Sequence, residues 1–136
     1  MLMPKKTKYR KSHKGGRGGK ATAGVSIAFG NCALKSLENC WVTARQIESA
    51  RRVLARYTTK GGRIFIRIFP DKPVTAKGGE LPMGKGKGGV DHYVAVVKPG
   101  MIILELEGVP EAQAREAMKQ AGDKLPVKTK FIKDNE

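Results

Sequence analysis

Acidic residues are scarce in this chain. Twelve Asp and Glu stand against 27 Lys and Arg in 136 residues, for a formal net charge of +15. A surface this positive repels itself until a polyanion neutralises it, so the imbalance speaks of partners rather than of fold. Nucleic acid is the commonest such polyanion, and an anionic membrane surface is the next. Cysteine is rarer still, with only Cys32 and Cys40. His13 and His92 lie far from both in sequence, so no zinc spacing is matched. Small hydrophobes kept reduced in a cytosol is the simpler account of the two thiols. No apolar run approaches the length of a membrane span. The opening "MLMPKKTKYRK" has no apolar stretch behind its charges and is not expected to act as a secretory signal. Paired carboxylates in a recognisable motif are missing, as is a nucleophile–base arrangement. The expectation is therefore a non-enzyme with no metal, no cofactor, no membrane and no small-molecule substrate.

What is present is unevenly placed. The first acid is Glu38. Ahead of it come Lys5, Lys6, Lys8, Arg10, Lys11, Lys14, Arg17, Lys20 and Lys35. Residues 1–20, with "GGRGGK" among them, cannot bury enough surface to offset their ordering entropy. They are expected to form a basic extended arm, loose when alone and ordered by a polyanion. Tyr9, set among these cations, favours RNA, where an aromatic ring can stack on a base.

Residues 21–136 read as a single α+β RNA-binding domain, and the length suits one modest core. "GVSIAF" alternates and reads as a strand, and "CALKSL" reads weakly as another. "VTARQIESARRVLARY" is a helix opened by a capping box of Thr43 and Gln46. Ile47, Ala50, Val53, Leu54 and Tyr57 make its apolar face. Arg45, Arg52 and Arg56 fall together on another face. That face is either a solvated flank or, with three arginines and no acid among them, a set of phosphate contacts. "RIFIRIFP" reads as a strand with Ile64, Ile66 and Ile68 on one side and Arg63, Phe65, Arg67 and Phe69 on the other. The Arg/Phe side either packs Phe against a helix with arginine stems reaching out, or lies on nucleic acid. Pro70, Asp71 and Pro73 predict a rigid turn. "HYVAVVKPG" and "MIILELEG" predict two strands of an antiparallel hairpin. "VPEAQAREAMKQAGDK" is a second helix, with Pro110 at its first position, Ala114, Ala117, Met118 and Ala121 inward, and Gly122 as its stop. "LPVKTKFI" closes as a strand. The expected order is β-β-α-β-β-β-α-β, with two helices packed on one face of a mostly antiparallel sheet.

The stretch "GGELPMGKGKGG" (78–89) imitates two nucleotide motifs. Gly79 to Lys85 reads as most of a P-loop, and Gly84, Gly86 and Gly89 read as a dinucleotide fingerprint. Gly86 stands where a P-loop needs Ser or Thr. A proline-bearing turn precedes the loop and a strand follows it, so no helix N-terminus meets a phosphate. The loop is instead expected to be flexible. Its glycines let another backbone approach, and Lys85 and Lys87 offer mobile charges to phosphates. A general basic nucleic-acid chaperone or architectural nucleic-acid binder fits this composition too.

The segments "KGGRIFIRIFPDKP" (60–73) and "MGKGKGG" (83–89) resemble the two signatures of the bacterial large-subunit ribosomal protein sixteen family. "MLMPKKTKYRKSHKG", "TARQIESARR" and "KLPVKTKF" resemble its other recurrent stretches, so the likeness spans nearly the whole chain. It implies two helices on an antiparallel sheet and a structural role in the large ribosomal subunit of the cytoplasm. It implies binding to 23S rRNA, neighbouring large-subunit proteins, late assembly, and contact with A-site tRNA, with P-site tRNA as a second candidate. The implied tRNA-facing loop is Met83, Gly84, Lys85, Gly86 and Lys87. The expected rRNA contacts are the eight cations of the arm, the three helical arginines, and Arg63, Arg67 and Lys72. Pro82 stands where the family's second signature begins with arginine, and Gly78 and Gly79 stand where Lys-Pro is usual.

Overall fold

A computed structural model describes residues 2–4, 24–58, 61–75 and 90–134. The elements are β1 (Cys32–Ser36), β2 (Cys40–Thr43), α1 (Ala44–Ala55), β3 (Arg63–Ile66), β4 (Lys72–Thr75), β5 (Val90–Val97), β6 (Ile102–Glu107), α2 (Glu111–Gly122) and β7 (Thr129–Lys133). The class is α+β, as expected. The strands form two antiparallel sheets, one of four strands in the order β3-β6-β1-β7 and one of three in the order β2-β5-β4.

The expected hairpin between "HYVAVV" and "MIILELE" does not form. β5 and β6 lie in different sheets. Pro99 and Gly100 redirect the chain here rather than reverse it. Gly100 takes φ 91°, a conformation open to glycine. Its N–H donates to the Ser36 carbonyl at 2.8 Å, and the Ser36 N–H donates to the Met101 carbonyl at 2.8 Å. β1 and β2 change sheets at the same corner, so β1 stays with β6 and β2 with β5. The result is one long ladder folded at a bend.

Two short strands escaped the sequence reading. β2 is only "CWVT", and β4 is "KPVT", placed where a turn was expected. Pro73 is tolerated in β4 because that strand lies on the edge of its sheet. The turn is shorter than expected and closes with the Asp71 N–H on the Phe69 carbonyl at 3.0 Å. Conversely, "GVSIAF" is not a strand.

Both helices behave as their periodicity dictates. In α1, the Gln46 N–H donates to Thr43 Oγ1 at 3.2 Å and the Thr43 N–H donates to Gln46 Oε1 at 2.9 Å, which completes the capping box. Ile47, Ala50, Val53 and Leu54 are buried, and Tyr57 packs beside them. Each fully buried branched side chain contributes about 1.5–3 kcal/mol. In α2, Ala114, Ala117, Met118 and Ala121 are buried. Pro110 is the N-cap rather than the first helical residue. Gly122 is the last helical residue, and its role is close packing. A Cβ there would lie 2.6 Å from Thr129 Oγ1 on β7. Leu34, Cys32, Leu104 and Leu106 meet the helices from the four-stranded sheet. This leaves the other face of that sheet, carrying Ala33, Glu105 and Phe65 in one row, turned away from α1 and α2.

Candidate nucleic-acid interface

Residue spacing places Arg45, Arg52 and Arg56 on one stripe of α1, and all three are exposed. Arg52 exposes 74% of its side chain. The helix does carry one acid, Glu48, which the sequence reading passed over. Arg51 holds it through Nη2 at 2.5 Å and Nε at 3.0 Å, and Arg52 Nε lies at 3.4 Å. The hydrogen bond from Arg51 holds the Glu48 carboxyl down at about 2. Glu48 is therefore ionised and tethered mainly to Arg51, while Arg45 and Arg56 form no ion pair with it. Arg52 and Arg56 also sit at the C-terminal end of α1, where the helix dipole favours cations. The stripe thus serves the helix and still presents donors outward.

The Arg63–Phe69 side was expected either to pack its Phe against a helix or to face nucleic acid. Phe65 packs instead on Phe29 of the segment before β1, on the face turned away from the helices, and Phe69 is exposed. Arg63 is exposed at the start of β3. Arg67 is not outward. Its side chain is only 16% exposed, and Nη1 binds the carboxylate of Glu105, which is fully buried. Nη1 also donates to the Ser26 carbonyl at 3.2 Å. Its charge is therefore neutralised inside the fold. Lys72 places Nζ 5.1 Å from the centre of the Trp41 ring, a cation–π contact between β4 and β2.

The segment before β1, expected to be a strand, forms a strap over the sheet face that the helices leave bare. The Ile102 N–H donates to the Gly24 carbonyl at 2.7 Å at one end, and the Asn31 N–H to the Leu106 carbonyl at 2.9 Å at the other. Between them, Ala28, Phe29 and Gly30 point their N–H groups at the Glu105 carboxylate, at 3.3, 2.9 and 2.7 Å. Burial alone would push Glu105 up. The Gly30 N–H, the Arg67 guanidinium and the Phe29 and Ala28 N–H groups together hold it below the usual carboxylate range. Gly30 lies so close to β6 that a Cβ would be 2.4 Å from the Leu106 carbonyl oxygen. The Phe29 ring stacks on Phe65 at 5.5 Å, with the Arg67 guanidinium 5.3 Å from its centre. One sequence signal pointed here: Glu105 is a lone acid inside the apolar run of a central strand, and such a charge demands a buried partner.

The arm cations Lys5, Lys6, Lys8, Arg10, Lys11, Lys14, Arg17 and Lys20 lie outside the described residues, as do Met83, Gly84, Lys85, Gly86 and Lys87. Among the described residues no group of three or more His, Cys, Asp and Glu could hold a metal ion. No helix there is long and apolar enough to cross a membrane. Cys32 is buried, and desolvation pushes its thiol up, which leaves it a packing residue.

Comparison with known proteins agrees with this basic, site-poor architecture. A curated relative, the large ribosomal subunit protein uL16c of Gracilaria tenuistipitata, is 56% identical over 132 residues, covering 97% of this chain and 98% of its own length. The uL16c of Porphyra purpurea is 55% identical over 135 residues, 99% of this chain and 97% of its own. That of Phaeodactylum tricornutum is 58% identical over 136 residues, 99% of each. The family model described as ribosomal protein L16p/L10e matches residues 4–132, so the α+β domain, its arginine stripe, the basic segment before it and the Gly/Lys stretch fall within one pattern, and the chain belongs to the ribosomal protein L16p/L10e family of structural, non-enzymatic ribosomal components.

Proposed function

We propose that the chain is a structural constituent of the large ribosomal subunit that binds 23S rRNA and borders the A-site tRNA, with the P-site tRNA as the second neighbour. It supports late assembly of the subunit and the positioning of tRNA. The observation that carries the rRNA reading is the exposed stripe Arg45, Arg52 and Arg56. A helical row of arginines meets phosphates, which fixes position without reading sequence. Arg63, exposed at the start of β3, and the eight cations of the arm are assigned to the same partner on their charge. Arg67 and Lys72 act through the fold, one on Glu105 and the other on Trp41. The family match and the names of the relatives support placement in the large subunit, beside its neighbouring proteins. The relatives carry the uL16c name, so the subunit carries over rather than the cytoplasm; the compartment is that of the ribosome which holds the chain.

The tRNA contact is assigned to Met83, Gly84, Lys85, Gly86 and Lys87, whose lysines stand on glycines with no apolar residue between Met83 and Val90. Replacing Arg45, Arg52 and Arg56 together by Gln tests the rRNA reading. Binding to 23S rRNA should weaken, and the slope of log affinity against log salt should flatten by about two, from about 0.7 per lost phosphate contact. An unchanged slope would return these residues to solvent. Replacing Lys85 and Lys87 by Gln tests the loop. It should weaken aminoacyl-tRNA binding to reconstituted subunits while the free protein melts as before. Early melting with normal tRNA binding would make the loop structural.

A further inference from the structure

The strap leaves two features on the outer face of the four-stranded sheet that the reading above does not use. The first is Phe29. At 60% exposure it is the most exposed of the five large apolar residues left outside among the described residues. It is also held in place by its stack on Phe65, by the Arg67 guanidinium, and by three successive N–H groups anchored on Glu105. A scattered surface hydrophobe would need no such support. The second is a pair of like charges. Lys35 on β1 and Lys130 on β7 are direct cross-strand partners on this same face. Like charges opposite one another destabilise a sheet, and neither lysine has an acidic partner among the described residues. They flank a groove of about 290 Å³ that also takes in Leu37, Gly100 and Ile132.

We infer that the strap face is a second RNA-contacting surface, in which Phe29 stacks on an unpaired base and Lys35 and Lys130 hold backbone phosphate. This rests on the reading that the chain binds rRNA. A pre-fixed aromatic ring loses little freedom when a base stacks on it. Phosphate between Lys35 and Lys130 converts their repulsion into two attractions, and among the described residues no acid pairs with either lysine. RNA is therefore favoured over an apolar protein partner.

Three variants of the full chain would be measured on a labelled 23S rRNA transcript. Phe29→Leu keeps apolar cover over Phe65 but removes the flat ring. It should weaken binding about fivefold or more with the salt slope unchanged. Lys35→Gln with Lys130→Gln should weaken binding and flatten the slope by about 1.4, for two phosphate contacts. Arg45, Arg52 and Arg56 to Gln serve as the reference, with thermal melts to confirm folding. Full affinity in both strap-face variants, with loss in the arginine variant, would overturn this inference and leave the proposed function standing. Loss in none of the three would overturn both. Normal binding to naked rRNA but failure to enter reconstituted subunits would mean that a protein covers the face, which also overturns the RNA assignment.

Discussion

Arg67 lays its guanidinium on the carboxylate of Glu105, joining the continuation of β3 to the middle of β6 across 38 residues of chain. The same carboxylate receives the N–H groups of Ala28, Phe29 and Gly30 from a third part of the sequence. One buried acid thus organises the sheet edge and the strap that covers it.

Glu105→Ala should destabilise the protein by about 3–5 kcal/mol, the cost of leaving one partner of a buried pair without the other. Removing Arg67 as well, in Arg67→Met with Glu105→Leu, should recover only part of that loss. The three strap N–H groups lose their acceptor, and because they are only part-buried each loss costs about 1 kcal/mol, near the low end for an unsatisfied group. Urea unfolding of the two variants separates the accounts. Full recovery in the double variant would mean that the ion pair alone mattered.

The pH dependence follows from the sign of the same shift. The folded carboxyl of Glu105 titrates below its ordinary value of 4.5. Its contribution is therefore fully present above that value and is lost as pH falls through the folded pKa. Below it the protonated acid no longer accepts from Arg67 and three N–H groups at full strength. As pH falls below the ordinary carboxylate range the unfolding free energy should drop, and it should drop less steeply in Glu105→Gln. Equal slopes for the two proteins would remove Glu105 from the acid sensitivity.

Gly122 offers a test of packing against propensity. Alanine in place of a helical glycine ordinarily stabilises by roughly 0.5–1 kcal/mol. Here the new Cβ would meet Thr129 Oγ1 at 2.6 Å, so Gly122→Ala alone should destabilise. In a Thr129→Ala background the same change should become neutral or stabilising, since the clashing oxygen is gone and the remaining neighbours, Leu34 Cδ2 and the Cβ at position 129, are each 3.8 Å away. Thermal melts of the four proteins in the cycle read the sign change directly. A helix that gained stability from Gly122→Ala in the parent would show that Thr129 rotates away at no cost.

The helices were legible because their signals are local. Thr43 and Gln46 cap α1 within one turn, and the buried positions of both helices repeat every three or four residues. The strands were legible as apolar alternation, but their partners were not. β5 and β6 look like a hairpin because Pro99 and Gly100 permit a reversal. What decides otherwise is Ser36, far away in sequence, which holds both sides of the corner. "GVSIAF" alternates like a strand, yet its N–H groups at 28–30 find a carboxylate rather than a neighbouring strand. Of the surface cations, Arg45, Arg52 and Arg56 were readable from spacing. The internal role of Arg67 was not: Glu105 stands out as an acid between Leu104 and Leu106, but nothing near Arg67 in the sequence marks it as the partner.

Glu48 sets the charge of the α1 stripe, and its removal should act in a direction opposite to the usual loss of contact. The carboxylate holds Arg51 tightly and Arg52 more loosely. In Glu48→Gln both guanidiniums lose their countercharge; Arg52 lies on the stripe with Arg45 and Arg56, and Arg51 is half-exposed beside it. The pair lies at the surface, half-buried, so the fold should lose about 1 kcal/mol. RNA, by contrast, meets one fewer negative charge and up to two newly released arginines. Binding to 23S rRNA should tighten at low salt, and the slope of log affinity against log salt should steepen by about 0.7 for each arginine that reaches a phosphate. Filter binding across a salt series measures both quantities. Weaker binding with an unchanged slope would mean that Glu48 serves to orient Arg51 and Arg52 toward RNA rather than to restrain them.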